Sequence, residues 1–391
     1  MIVVVGIGAD GMAGLSEISR RELRSATVIY GSPRQLDLLD DTVSAPRHAW
    51  PSPMLPALER LLDGAAGDIH VVASGDPLMH GVGGSLIRIH GAANVRVLPQ
   101  VSSVTLACAR MGWSAHDAEV ISLVTAPVDT AVRRGGRAVV LSRGADTPAQ
   151  LAAVLTETGR GASEFTVLEQ LGGPQERVLA RTAEAWAAAP PEIDDLNVVA
   201  VRYLPDERLG HTLPDEALRH DGQITKQTIR AVTLAALAPR PGELLWDVGA
   251  GSGSIAVEWC RGAAGCRAVA FEHNADRRAN IAANTRAFGA DVEVRGGAPD
   301  DFPGAGAPDA IFIGGGLTGG GLVQACLDRL PAGGRLVANV VTAESEALLV
   351  EWYSRLGGEL RRFQHYRGEP LGGFTGWRPA MPITQWIVSV L

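Results

Sequence analysis

The stretch that most limits what this chain can fold into is LLWDVGAGSGSIAVEW, residues 244–259. An apolar run, Leu244 to Val248, leads straight into Gly249-Ala250-Gly251-Ser252-Gly253, and a helical pattern starts at Ser254. Glycines at such a turn let the backbone bend sharply and approach a ligand closely. The helix start adds free N–H groups and a positive dipole end, which suit an anionic group. Dinucleotide sites share these features, so the glycines alone do not decide the ligand. The spacing is GxGxG rather than GxGxxG, and Asp247 stands two residues before the first glycine. An acid there repels a pyrophosphate but pairs with the α-ammonium group of an amino-acid moiety. The pattern favours S-adenosylmethionine over NAD, with residues 249–253 and Asp247 as its binding loop.

Downstream residues extend this reading. Glu272 ends the next apolar run, AVAFEHN, nineteen residues beyond Gly253. A carboxylate at such a strand end can accept both hydroxyls of a ribose. Gly297 and Ala298, in RGGAPDDF, leave room for an adenine. IFIGGG (311–316) closes a further strand, and no Asn-Pro-Pro-Tyr motif follows, which weighs against nitrogen as a methyl acceptor.

The whole chain alternates β-like runs with amphipathic helices, an α/β pattern. At 391 residues it predicts more than one domain. The first series of strands runs from Ile2–Val5 to Asn197–Tyr203, and its later members come consecutively, predicting a mixed or antiparallel sheet. Residues 204–221, LPDERLGHTLPDEALRHD, are polar, carry prolines and keep no period. Domains are therefore expected at 1–205 and 221–391, joined by a linker at 206–220. The second series predicts five βα units, one with a short helix near Pro299–Phe302. Two final strands follow, separated by a Gly/Pro-rich excursion, with the last strand antiparallel. The fold class is α/β in both halves, the second a seven-stranded, Rossmann-like sheet.

Composition narrows the partners. The net charge of −8 argues against nucleic acid, and no apolar run approaches the ~20 residues of a membrane span. MIVVVGIGADG enters a strand at once without a basic leader, so a cytoplasmic location is expected. Cys108, Cys260, Cys266 and Cys326 form no CxxC pair and read as small buried residues, with no metal site. Lys226 is the only lysine in an arginine-rich chain.

The segment DGQITKQTIRAVTLAAL (221–237), Trp246 to Ser254, Glu272 and Gly297-Ala298-Pro299 together resemble the decarboxylating methyltransferase module of cobalamin biosynthesis, over roughly 215–391. The resemblance makes Thr225-Lys226 an entry motif and adds Thr225 to the cofactor site. In the first half, GIGADG (6–11) is a weak match to GxGxxG by itself. VVASGDPLMHGVGGSL (71–86) resembles the Gly-Asp-Pro loop of the tetrapyrrole methylase family. PQVSSV (99–104) resembles that family's Pro-Gly-Val-Ser segment, with Gln100 in place of glycine. EQLGGPQERV (169–178) resembles its Glu-Asn-Leu-Gly region, with Gln170 in place of asparagine. The resemblance implies a tetrapyrrole methylase fold of two α/β subdomains ahead of a class I methyltransferase domain. It places a cofactor against Gly6, Gly8, Gly75, Asp76, Pro77, Ser102 and Ser103, although Asp76 also reads as an Asp-Pro turn former.

The implied chemistry is transfer of a sulfonium methyl to meso carbons of a reduced macrocycle, precorrin-6B. Carbon 5 falls to the first domain. Carbon 15 falls to the second, with decarboxylation of the ring C acetate to give precorrin-8X. One S-adenosylmethionine is expected per domain, in a homo-oligomer. Substrate carboxylates need cations, and Lys226, Arg230 and Arg378 are the candidates. Arg378 lies in GGFTGWRPAMP (372–382), whose Phe374 and Trp377 read either as a cover for the macrocycle or as an ordinary hairpin. His273 and His365 are possible proton donors, though a lone histidine is more often structural. Open alternatives are a methyltransferase acting on another tetrapyrrole, a chain with one inactive domain, a dinucleotide oxidoreductase, and a non-catalytic S-adenosylmethionine sensor.

Overall fold

The structure is a computed structural model that describes residues 1–62, 67–205 and 212–390. The chain divides into two compact units, Met1–Pro205 and Asp206–Leu391.

The first unit opens on β1 (Ile2–Ile7), whose IVVVGI is buried throughout. β-Branched residues without alternation suit a central parallel strand covered on both faces. It continues with β2 (Ile29–Gly31), β3 (Arg47–Ala49), β4 (Ile69–Ser74) and β5 (Val95–Leu98). These form an all-parallel sheet of order β3-β2-β4-β1-β5. β6 (Glu119–Ser122), β7 (Arg137–Leu141), β8 (Glu164–Glu169), β9 (Arg177–Thr182) and β10 (Asn197–Arg202) build a second sheet of order β6-β7-β10-β8-β9. It is mixed as expected: β6 and β7 are parallel, and the other pairs are antiparallel.

The second unit holds β11 (Leu244–Val248), β12 (Arg267–Phe271), β13 (Val292–Arg295), β14 (Ala310–Ile313), β15 (Arg335–Val340), β16 (Glu359–Phe363), β17 (Tyr366–Leu371), β18 (Phe374–Pro379) and β19 (Ile383–Ser389). Seven of these make one sheet in the order β13-β12-β11-β14-β15-β19-β16. β19 runs antiparallel to both its neighbours, as the sequence predicts for the last strand. The chain turns back on itself between β11 and β14, the position where open α/β sheets leave a crevice beyond the strand ends. Beneath it, Trp246, Phe271 and Phe302 pack with ring centroids 4.7–5.2 Å apart.

One expectation needs correction, and the structure adds detail in two further places. Residues 298–301 form turns rather than a short helix. The excursion before the last strand is an antiparallel hairpin, β17–β18, in keeping with the hairpin reading of residues 372–382. β3 lacks any apolar pattern because all three of its residues are exposed at a sheet edge. In the stretch expected as a linker, residues 206–211 lie outside the described residues. Beyond them Leu213 and Leu218 are buried against Val257 and Phe288 of the second unit.

Candidate functional sites

In the second unit, the glycine loop lies at the crevice between β11 and β14. Gly249, Gly251 and Gly253 all have positive φ, between 58° and 71°. A Cβ on Gly249 would stand 2.8 Å from the backbone nitrogen of Gly315, and one on Gly253 would stand 2.8 Å from the Ile281 side chain. Only glycine permits this closeness. A cavity of ≈ 1050 Å³ opens here, lined by the loop, by Thr225 and Lys226, and by Glu272, Gly297, Ala298, Asn339 and His365 among others.

Two carboxylates serve the loop. Glu272 is buried; its Oε2 accepts the Gly251 N–H at 2.9 Å and its Oε1 the Asn274 N–H at 2.9 Å. Each oxygen keeps a second lone pair for a ligand hydroxyl. Asp247 lies behind the loop, 1% exposed, with Oδ2 accepting the Ala256 N–H at 3.1 Å. Burial, aided by the nearby Glu272 charge, pushes its carboxyl up to about 7. Its Oδ1 and the Ser252 hydroxyl are buried with no partner among the described residues. An orphaned buried acceptor is costly and fits a ligand that brings a cationic donor.

In the first unit, three loops converge at Gly6, where a Cβ would lie 2.0 Å from the Gly75 carbonyl oxygen and 2.7 Å from the Gln100 nitrogen. A cavity of ≈ 380 Å³ lies beyond the strand ends, lined by Gly8, Gly75 and Ser103 from one sheet's loops and by Leu141, Leu168 and Val198 from the other sheet.

Comparison with known proteins decides what the two sites belong to. Residues 1–187 match the family model for tetrapyrrole (corrin/porphyrin) methylases, and residues 216–390 match that for the precorrin methyltransferase domain. The precorrin-6Y C(5,15)-methyltransferase (decarboxylating) of Mycobacterium tuberculosis is 68% identical over 391 residues, all of both chains. The chain belongs to the family of decarboxylating precorrin-6Y C5,15-methyltransferases. A Sinorhizobium protein of the same name is 42% identical, covering 98% of this chain and 95% of its own. Among solved structures, the C-terminal domain of precorrin-6Y C5,15-methyltransferase from Rhodobacter capsulatus is 45% identical. It covers 46% of this chain and 100% of its own, with a TM-score of 0.44.

Several predicted residues hold other posts in the structure. Arg230 is fully buried and does not reach the cavity. Its Nε bonds Glu258 at 2.9 Å, Nη1 bonds Asp215 at 2.8 Å and the Thr225 carbonyl, and Nη2 bonds the Leu213 carbonyl. Four of its five N–H donors are taken, so this buried guanidinium ties residues 213–225 to the fold rather than facing a substrate carboxylate. Arg378 is largely exposed on β18, pairs with Glu369 at 3.1 Å and lies outside the cavity lining. Phe374 and Trp377, 83% and 76% exposed, also lie outside it. Lys226 stands at the cavity, half exposed, 3.5 Å from Asp215. Ser102 is committed to capping the helix Ser103–Met111, its Oγ accepting the Thr105 N–H at 3.1 Å. Asp76 closes an Asx turn, its Oδ1 accepting the Leu78 N–H at 2.9 Å. Asp76, Pro77, Ser102 and Gly6 support the first cavity without lining it.

The departures at the two glutamines have local solutions. Gln100 donates from Nε2 to the Gly14 carbonyl at 2.6 Å, so its side chain braces the loop where a glycine would only turn it. Gln170 adopts φ 49° and donates to Asp194 at 2.9 Å. Sequence reasoning missed Asn339. It lines the second cavity, donates to Thr233 Oγ1 at 2.8 Å and accepts from Gln385 at 3.0 Å. An isolated Asn in a strand carries no motif, so no signal pointed to it. His273 sits 3.2 Å from Glu272 Oε1 and is largely exposed.

Proposed function

We propose that this chain uses S-adenosylmethionine to methylate precorrin-6B at carbon 5 in the first unit and at carbon 15 in the second. The second unit also removes the ring C acetate carboxyl as carbon dioxide, giving precorrin-8X. The observation that carries this reading is the end-to-end identity to proteins named for that reaction. The orphaned Asp247 Oδ1 and Ser252 hydroxyl, and the cradle that a Cβ on Gly249 would fill, support a cofactor in the second unit. One cofactor per unit is our reading, with Gly8, Gly75 and Ser103 facing the first.

Bound S-adenosylmethionine supplies an electrophilic methyl group on a good leaving sulfur. The chain's own task is therefore alignment and exclusion of water. Glu272 would take the ribose hydroxyls, and Ser252, backed by Asp247 just behind the cavity lining, would take the amino-acid end. Gly297 and Ala298 leave a flat slot for the base. Lys226 at the cavity faces the substrate's carboxylates. Asn339, held from both sides, offers a fixed polar edge in the same cavity.

The polar stretch 206–220 connects two catalytic domains, 1–205 and 221–391, with its Leu213 and Leu218 docked on the second. The protein works as a cytoplasmic homo-oligomer without nucleic acid or membrane partners. The exposed apolar residues of the β17–β18 hairpin support self-association. Among the described residues no helix is long and apolar enough to cross a membrane.

The test is mass spectrometry of precorrin-6B incubated with the protein and S-adenosylmethionine. Wild type gains two methyl groups and loses one carbon dioxide. Asp247→Ala gains one methyl and keeps the carboxyl. A wild type that binds S-adenosylmethionine but adds no methyl overturns the reading.

A further inference from the structure

We propose that Arg34 takes a side-chain carboxylate of the macrocycle in the first unit and so sets which meso carbon is presented for methylation. The proposal rests on the function proposed above and adds a specificity-determining residue to its first site.

Arg34 sits in the helix Pro33–Asp37, directly after β2. A capping box between Ser32 and Gln35 fixes the start of that helix. Its Nη2 donates to Ser74 Oγ at 2.6 Å, and Gln35 Nε2 donates to the same oxygen at 2.9 Å. Ser74 ends β4, immediately before Gly75-Asp76-Pro77. The guanidinium is thus anchored to the base of the cofactor-facing turn.

Arg34 lines the first cavity, and among the described residues lining it no other carries a permanent charge. The same cavity is lined by Trp50 and Leu141, apolar surfaces suited to a flat ring. Other arginines of this unit have their donors answered, by carboxylates at Arg96, Arg110 and Arg177 and by several backbone carbonyls at Arg47 and Arg143. Among the described residues no carboxylate lies within 4.0 Å of Arg34, and Ser74 is a neutral partner. Burial pulls its guanidinium below the ordinary arginine range, with the more distant Asp194 opposing. A partly desolvated cation with unused donors is poorly satisfied alone and well satisfied by a carboxylate that binds two N–H groups at once. A substrate rimmed with carboxylates brings that group. One fixed cation at one end of an apolar slot then sets the rotation of the ring.

The experiment uses the full chain with precorrin-6B and S-adenosylmethionine, scoring each methylated position by mass spectrometry and NMR of the product. Arg34→Gln raises the KM for the macrocycle in C5 methylation roughly ten- to hundredfold, with kcat moving less. Arg34→Lys, which keeps a charge but not the fork, falls between. S-Adenosylhomocysteine affinity, measured by calorimetry, stays at the wild-type value, a result that a mere prop for the Ser74 turn would not give. Methylation at carbon 15 serves as the internal control for a folded chain. If Arg34→Gln loses the fold of the first unit, the KM of Arg34→Lys decides. An unchanged KM, or a fall in S-adenosylhomocysteine affinity that matches the rise in KM, overturns the proposal while leaving the function intact. A wild type that never methylates carbon 5 overturns both.

Discussion

At the scale of single residues, Asp247 gives the second unit an unusual response to pH. Its carboxyl titrates at about 7 in the fold and at about 4 in an unfolded chain. Between those values the folded protein keeps a proton that the unfolded chain has released, so stability falls as pH rises from about 4 to 7 and levels off above. Glu258, also raised by burial, adds to the same slope. The depressed carboxylates Asp215, Asp221 and Glu243 have the opposite sign, and their contribution is lost only below about pH 4. Asp247→Asn should flatten the slope, removing on the order of 1.4 kcal/mol of pH dependence for each pH step inside that window, seen in urea unfolding at pH 5 and pH 8. An unaltered slope would show that Asp247 is already ionised in the fold. What the sequence reveals at this scale depends on the kind of constraint. Gly249 is legible because a strand running into GxGxG has few other uses. Arg230 is not, because an arginine reads as a surface cation, and its partners Asp215 and Glu258 come from distant points of the chain.

Elements are legible where burial forces a pattern. β1 and β11 are buried from end to end because both faces are covered, and Asp247 is the one charged residue in either. The β17–β18 hairpin is hidden for the opposite reason. Tyr366, Leu371, Phe374 and Trp377 are exposed, so no core imposes a period on them. Surface residues with no internal contacts change stability little when replaced, usually within about 0.5 kcal/mol. Phe374→Ser with Trp377→Ser should therefore leave urea unfolding of the chain nearly unchanged, yet lower its mass in sedimentation equilibrium if the hairpin joins subunits. A loss of stability without a change in mass would instead place these rings within the subunit's own fold.

At the scale of the whole molecule, each unit has its own apolar cores, centred on Trp186 and Phe165 in the first and on Trp246 and Trp386 in the second. Calorimetry should resolve two unfolding transitions. Leu245→Ala, at a fully buried site of the second unit, should lower one of them by roughly 5–15 °C and leave the other in place. One merged transition that shifts as a whole would mean that the units unfold together. The division at residue 205 follows from a polar, proline-bearing stretch, whereas the docking of Leu213 and Leu218, with Ala217 beside them, rests on a few scattered apolar side chains that show no period. The chain's single lysine has a practical meaning at this scale. Lys226 is half exposed at the second cavity, so among the side chains of this sequence an amine-directed reagent finds one address. A dye or cross-linker attached there would report from the rim of one site, with no need to strip competing amines from the surface first.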